Sequence, residues 1–379
     1  MRGLQGVIIP FSAWAPSPPD LQDVLPVSRR AVRIIGMIER ISRRAFLQVA
    51  GAAGGVLGMP AGVFDALDIE RLGRVTVSWI GLYEEPSFSA RRLAYIERDS
   101  VLTLITRVTA DDGPAFNPLW YRIADGFVHS GYIQPVRWEL QAPRADFTEE
   151  GALFEVSVPF SRSYRSPSPS SDPLYRLYFQ SLAWVDALEE GEDGRLWYRV
   201  MDDLLHIPYY VRAEHLRRVE SEELTPLSPD IPSHEKSIEV SIPQQEMMAF
   251  EGDRLVFRTR ISSGMPDRDP DGGNGIPTDT PTGRFYIDKK MPLRHMGDGH
   301  LTGNLEAYEL PGVPWVCFFH ETGVAFHGTY WHCNYGRPSS HGCVNMRPEE
   351  AKWLFRWTNP PIGHDVRLEA GYGTAVYVF

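Results

Sequence analysis

The chain has 379 residues, 43% of them hydrophobic and 23% charged, the make-up of globular material with room for two or three domains. Its 38 basic against 49 acidic side chains leave a net charge of −11, which removes electrostatic support for a nucleic-acid role. Three cysteines are too few for a disulfide scaffold.

Residues 1–36 carry Pro16-Ser17-Pro18-Pro19 and scattered arginines without periodicity, and read as disordered or as a misassigned start, with Met37 the more natural beginning. In 37–65, Ser42-Arg43-Arg44-Ala45-Phe46-Leu47 leads into the short apolar run Val49–Gly58. A membrane span needs about 20 apolar residues, so paired arginines before so short a run fit an export signal better. The pattern resembles a twin-arginine signal, which implies export of the folded protein and a wall-associated place in the cell envelope or outside it.

From 74 to 218 the chain repeats itself. Leu119-Trp120-Tyr121-Arg122-Ile123-Ala124-Asp125 recurs 77 residues later as Leu196-Trp197-Tyr198-Arg199-Val200-Met201-Asp202. Short alternating runs precede each copy: Arg74–Tyr83 and Val101–Val108, then Phe154–Val158 and Leu174–Val185. Many short strands between turn residues predict small β-barrels, at 74–137 and 152–218. Both resemble bacterial SH3-like domains, which implies wall binding or substrate positioning, with Tyr83, Trp120 and Tyr132 as groove aromatics. Trp120 and Trp197 at equivalent positions are better explained as shared core. Ser161–Pro173, rich in serine and proline, reads as a surface loop in the second copy, and 219–235, with its prolines and adjacent glutamates, as a linker.

The last region, 236–379, opens with the alternating strand Lys236–Ile242, then Met247–Glu251 and Asp253–Ile261 running into Ser262-Ser263-Gly264. Asp267–Gly275 reads as a solvated loop in preference to a calcium site. The stretch from Arg294 to Glu309 lacks regular alternation. Val313–Phe319 and Gly323–His327 form a hairpin, which sets His327 at a strand end. Glu349–Phe355 predicts a short amphipathic helix, and Thr374–Val378 a closing strand.

Within this region lie His327-Gly328-Thr329 and Ser340-His341-Gly342-Cys343-Val344-Asn345-Met346. A free thiol, with pKa about 8.5, is mostly protonated at neutral pH, so thiolate catalysis needs a base within reach. His327, 16 residues upstream of Cys343, is far enough away to return on a neighbouring strand. Gly342 permits a tight turn that brings backbone N–H groups to a developing oxyanion. Small and polar residues crowd the cysteine, which makes it poor core material.

These two runs resemble the signature of the L,D-transpeptidase catalytic domain of the YkuD type, and Thr280-Pro281-Thr282-Gly283-Arg284-Phe285 resembles a turn of that family. The resemblance implies a mainly β chain: two SH3-like barrels followed by a β-rich YkuD-like catalytic domain with a short helix. It implies a transferase of peptidoglycan biosynthesis, acting in cell-wall organisation and cell shape. In it Cys343 attacks a stem-peptide carbonyl, forms a thioester and passes the acyl group to a neighbouring stem as a 3→3 cross-link. His327 then serves as base with the Gly328 carbonyl orienting it, and His341 in support. Gly342 shapes the oxyanion site, Ser340 and Asn345 hold the loop, Trp331 flanks the donor peptide, and Leu301–Pro314 falls where the family often carries a substrate-gating flap. Water in place of the acceptor amine makes the reaction L,D-carboxypeptidation. Stem peptides are the expected partners, with no cofactor, no metal, no nucleic acid and a monomeric state.

Two other readings use the same residues. His327, His332, Cys333, His341 and Cys343 are ligand types, but His332-Cys333 and His341-x-Cys343 depart from zinc spacings. A non-catalytic wall-binding protein has no need of both His327 and Cys343. Cys333, where a polar residue is expected, could bridge to Cys317 or Cys343 in an oxidising compartment.

Overall fold

Alternating short strands dominate the chain because its apolar residues recur every second position and turn residues interrupt them before a helix can form. The computed structural model describes residues 72–148, 150–266, 278–305 and 307–379. The segments 1–36 and 37–65 and the loop Asp267–Gly275 therefore lie outside the described residues. Among the described residues no helix is long and apolar enough to cross a membrane.

The first module contains β1 (Leu72–Val75), β2 (Trp79–Tyr83), β3 (Arg92–Glu97), β4 (Val101–Thr103), β5 (Thr106–Thr109), β6 (Leu119–Ile123), β7 (Gly126–His129) and β8 (Ile133–Val136). They form a three-stranded sheet, β4-β1-β8, and a five-stranded sheet, β3-β2-β7-β6-β5. The second module contains β9 (Ala152–Val156), β10 (Phe160–Tyr164), β11 (Pro173–Tyr178), β12 (Leu182–Glu190), β13 (Leu196–Met201), β14 (Pro208–Arg212) and β15 (Leu216–Arg218) in one antiparallel sheet, β11-β10-β14-β13-β12-β9-β15. The repeated motif occupies β6 and β13, and Trp120 and Trp197 are both fully buried. Tyr83 meets Trp120 edge-on at 5.5 Å, so it packs partly into that core.

Two segments differ from expectation. Ser161–Tyr164 is strand within β10, where a loop was expected. Ser161 and Ser163 turn inward, and the Ser163 hydroxyl accepts from the Tyr175 N–H at 2.8 Å and donates to the Tyr175 carbonyl at 3.0 Å. Serine on an inner face satisfied by the neighbouring strand defeats a composition rule. The expected linker 219–235 is itself packed: Val219 and Leu224 lie in the core of the last region.

That region contains β16 (Lys236–Ser241), β17 (Glu246–Glu251), β18 (Arg254–Arg260), β19 (Gly283–Tyr286), β20 (Lys289–Gly297), β21 (Glu309–Phe318), β22 (Ala325–Gly328), β23 (Val344–Met346), α1 (Pro348–Trp357), β24 (Glu369–Ala370) and β25 (Ala375–Val378). Two five-stranded sheets result, β18-β17-β16-β25-β19 and β23-β22-β21-β20-β24. α1 starts with a proline, which needs no N–H partner in the first turn, and Glu349 and Glu350 sit where the helix dipole favours acids. Its face of Ala351, Leu354 and Phe355 closes one apolar core with Ile238, Val240, Trp315, Phe326 and Val376. Leu153, Leu182 and Trp184 of the second module belong to the same core, so the two share an interior. β20, absent from the sequence reading, is irregular: Arg294 faces Val313 but Met296 faces Leu310, and the slip breaks the alternation a pattern search needs.

Arg74 ties the pieces together. Only 1% exposed, its guanidinium pairs with Asp99 at 2.9 Å, donates to Gln134 Oε1 at 2.7 and 3.1 Å and to the Tyr330 carbonyl at 2.7 Å, and lies 4.0 Å over the Tyr178 ring. The first module thus grips the loop between β22 and β23. The Cys333 N–H adds a bond to the Gly131 carbonyl at 2.8 Å.

Candidate active site

β22 and β23 run parallel, with Phe326 opposite Val344 and His327 opposite Asn345. Cys343 immediately precedes β23, and its thiol contacts the Ala325 backbone. Ala325 and His327 share one face of β22, because side chains alternate, and lie about 7 Å apart along the strand. Cysteine and histidine therefore lie toward one face of the sheet although 16 residues separate them.

His327 is 2% exposed. Burial pushes its pKa down to about 4, opposed by the hydrogen bond at 3.1 Å between Nδ1 and the Gly328 carbonyl. A carbonyl only accepts, so Nδ1 carries the proton and Nε2 keeps its lone pair. The Cys343 thiol packs beside the cluster Met291, Val316, Phe318 and Ala325, and burial pushes it up to about 11. Both groups are thus neutral at pH 7, and among the described residues no hydrogen bond joins them.

The turn before Cys343 is held from all sides. Gly342 sits at φ 115°, which only glycine adopts without strain, and a Cβ there would meet Val324 at 3.2 Å. Its carbonyl accepts from Thr280 Oγ1 at 2.8 Å, and that oxygen accepts the Gly264 N–H at 2.8 Å. The Ser340 hydroxyl donates to the Cys343 carbonyl. The Ser339 and Ser340 N–H groups donate to the Ser263 carbonyl at 2.9 and 3.1 Å, and the Asn345 backbone exchanges bonds with Ser262 at 2.8 and 3.0 Å.

His332 belongs to this network and was not foreseen in it. The Asn334 N–H donates to its Nδ1 at 3.2 Å, which puts the proton of the neutral ring on Nε2. The Asn345 amide stands 3.0 Å from that nitrogen, and its oxygen is the atom that can accept there. Burial drives the His332 pKa down to about 3, so a neutral ring buttresses the loop. No sequence spacing signals this pair, since its members lie 13 residues apart.

Trp331 stands with its ring 5.8 Å from the His327 imidazole and 5.1 Å from Tyr330. It lines a cleft shared with Tyr308, Pro311, Tyr330, Arg98 and Tyr175. His341 is exposed by surface area, its ring 6.1 Å from that of Tyr308, and partial desolvation of the imidazole lowers its pKa. Tyr308, a second residue that sequence reasoning missed, has its hydroxyl pushed up to about 12 by burial, with Cys343 adding to the shift.

The structure thus gathers Cys343, His327, Gly328, Ser340, Gly342, Asn345 and Trp331 around β22 and β23, and sets His341 toward the 298–308 loop. No disulfide joins Cys317, Cys333 and Cys343 in this structure. Among the described residues no group of three or more His, Cys, Asp or Glu side chains is arranged to hold a metal.

Residues 235–378 match the YkuD family, described as the L,D-transpeptidase catalytic domain. Among solved structures the chain is similar to a cysteine-to-serine variant of an Enterococcus faecium L,D-transpeptidase, at 27% identity over 38% of this chain and 50% of that one, TM-score 0.28. An L,D-transpeptidase from Xylanimonas cellulosilytica shows 23% identity over 39% and 62%, TM-score 0.28, and one from Mycobacterium smegmatis 15% over 69% and 90%, TM-score 0.29. The chain spans about half the length of the E. faecium protein. No curated protein matches the sequence.

Proposed function

We propose that the chain is a peptidoglycan L,D-transpeptidase that forms 3→3 cross-links through a thioester on Cys343. The observation that supports this is the placement of Cys343 and His327 on one face of two parallel strands, with the Gly328 carbonyl holding the imidazole in the tautomer that leaves Nε2 basic. A neutral thiol beside a neutral imidazole calls for general-base catalysis, not a standing thiolate.

As Sγ attacks the carbonyl of the third stem residue, His327 Nε2 takes the thiol proton and a C–S bond forms. The tetrahedral oxyanion faces the backbone around Gly342 and Cys343. Its collapse breaks the C–N bond, and His327 returns the proton to the departing D-alanine amine. An acceptor amine then attacks the thioester, gives a proton to His327 and restores the thiol; water in that role gives the carboxypeptidase product. Ser340 and Asn345 hold the turn that aims Sγ, Trp331 flanks the donor, and His341 stands at the rim in support. The two front modules act as SH3-like positioning units, and the protein works as an exported, wall-associated monomer.

Full-length protein incubated with a tetrapeptide stem should release D-alanine and yield 3→3 dimers, and the Cys343→Ala variant should do neither. Release of D-alanine without dimers assigns the carboxypeptidase reading. No release by a folded wild type, together with sedimentation of the chain with purified walls, favours the non-catalytic binder.

A further inference from the structure

Residues 298–305 and 307–308, between β20 and β21, are docked onto both front modules. Arg98 donates to the Leu305 carbonyl, Leu301 packs on the core of the second module, and Gly299 lies where a Cβ would touch Leu204 and Leu205 at 3.3 and 3.4 Å. At the base of this loop a buried ionic cluster joins β20 and β21 to the residue that follows β13. His295 Nδ1 is 2.9 Å from Asp202 and its Nε2 is 2.8 Å from Glu309, with all three side chains at most 4% exposed. Beside it Arg294 pairs with Asp203 at 2.9 Å.

Asp202 closes the second copy of the repeat. Its counterpart in the first copy, Asp125, is exposed, so the barrel itself does not need a buried acid at this position. The irregular register between Arg294 and Met296 accompanies the turn of His295 toward the second module. Glu309 is the neighbour of Tyr308, whose ring faces His341 and whose hydroxyl feels Cys343.

We propose that Asp202, His295 and Glu309 form a latch through which the second module sets the position of the 298–308 flap, and with it the wall that Tyr308 contributes to the cleft lined by Trp331. These are positioning residues, and their effect on turnover rests on the transpeptidase reading. Both ring nitrogens face carboxylates, so only a protonated imidazole satisfies the two together. A neutral ring turns a lone pair toward one of them and the latch opens. Burial opposes the charge, but the bonds to Asp202 and Glu309 outweigh it and raise the His295 pKa to about 9. The other groups facing the cluster are Asp203, Arg294, Asp298, His300 and the neutral hydroxyls of Tyr175 and Tyr209.

The test is Asp202→Asn in the full chain, with Glu309→Gln as a second variant and Asp186→Asn, which breaks the Arg199 pair in the same module, as control. The amide oxygen that replaces the carboxylate can still accept the Leu204 and Leu205 N–H bonds that Asp202 holds, so the local turn survives. Expected for the latch variants is a His295 pKa, read by NMR, lower by more than about one unit. Amide exchange in 298–308 should be at least tenfold faster with β22 and β23 unchanged, and KM for the tetrapeptide about tenfold higher with kcat within threefold. The wild type should show the same KM rise as pH passes about 9. Unchanged flap exchange in both variants, faster exchange without a KM change, or exchange raised equally in every strand would overturn the latch. A wild type without turnover refutes the transpeptidase reading alone, and the exchange measurement then decides the latch by itself.

Discussion

Two histidines of one sheet are equally buried and differently charged. His295 on β20 and His327 on β22 are each 2% exposed, yet His327 is pushed down to about 4 and His295 up to about 9. Burial favours the neutral ring at both. The difference lies in the partners: a backbone carbonyl, which accepts one N–H and carries no charge, against two carboxylates. Burial therefore does not decide what a histidine does. The residue with a neutral partner keeps a lone pair, which the proposed mechanism uses for proton transfer, and the one with charged partners is the cation of the proposed latch.

The sharpest way to break this comparison is to remove each ring in turn. His327→Gln should cut the acylation rate by roughly 10²–10⁴, whereas His295→Gln should leave kcat within a few-fold; similar losses of kcat in both would abolish the distinction. The pH profile carries the same contrast. As the proposed base His327 must be neutral, and its pKa is lowered to about 4, so kcat/KM should hold down to about pH 4 and fall below it. An acid limb near pH 6.5 would mean that burial does not set the base.

Arg74, a third buried group, extends the comparison to a cation with no neutral form to retreat to. Arg74→Met strips one of two cationic partners from buried Asp99, which keeps Arg176, and should cost about 1–3 kcal/mol, read by denaturant unfolding. A loss below about 1 kcal/mol would mean that the junction contributes little. The smallest effect belongs to stability at alkaline pH. The folded pKa of His295, about 9, exceeds the ordinary value 6.5, so its contribution is complete below about 6.5 and is lost as pH rises through 9. About 3 kcal/mol is its upper bound. Melting temperature should fall between pH 7 and 10, and in Asp202→Asn the fall should begin at lower pH; superimposable curves would contradict the assignment.

Legibility in the sequence followed physical range. The hairpin that ends at His327, the helix after Met346 and the closing strand were readable because their periods are local, and Cys343 stood out because small and polar residues crowd it in sequence. β20 was missed because its register slips near His295, and β10 because inward serines imitate a loop. His332, Tyr308 and the latch were invisible for another reason. His332 pairs with Asn345 across 13 residues and Asp202 with His295 across 93, and no local pattern encodes a partner at that distance.

The central claim is that Cys343 is a nucleophile with an accessible carbonyl-binding face. It is tested most directly by the intact mass of the reduced full-length protein after incubation with a carbapenem, whose strained carbonyl acylates a nucleophilic thiol, beside Cys343→Ala. The account predicts one adduct on the wild type and none on the variant. An unmodified wild type, or an adduct that persists in Cys343→Ala, would contradict it.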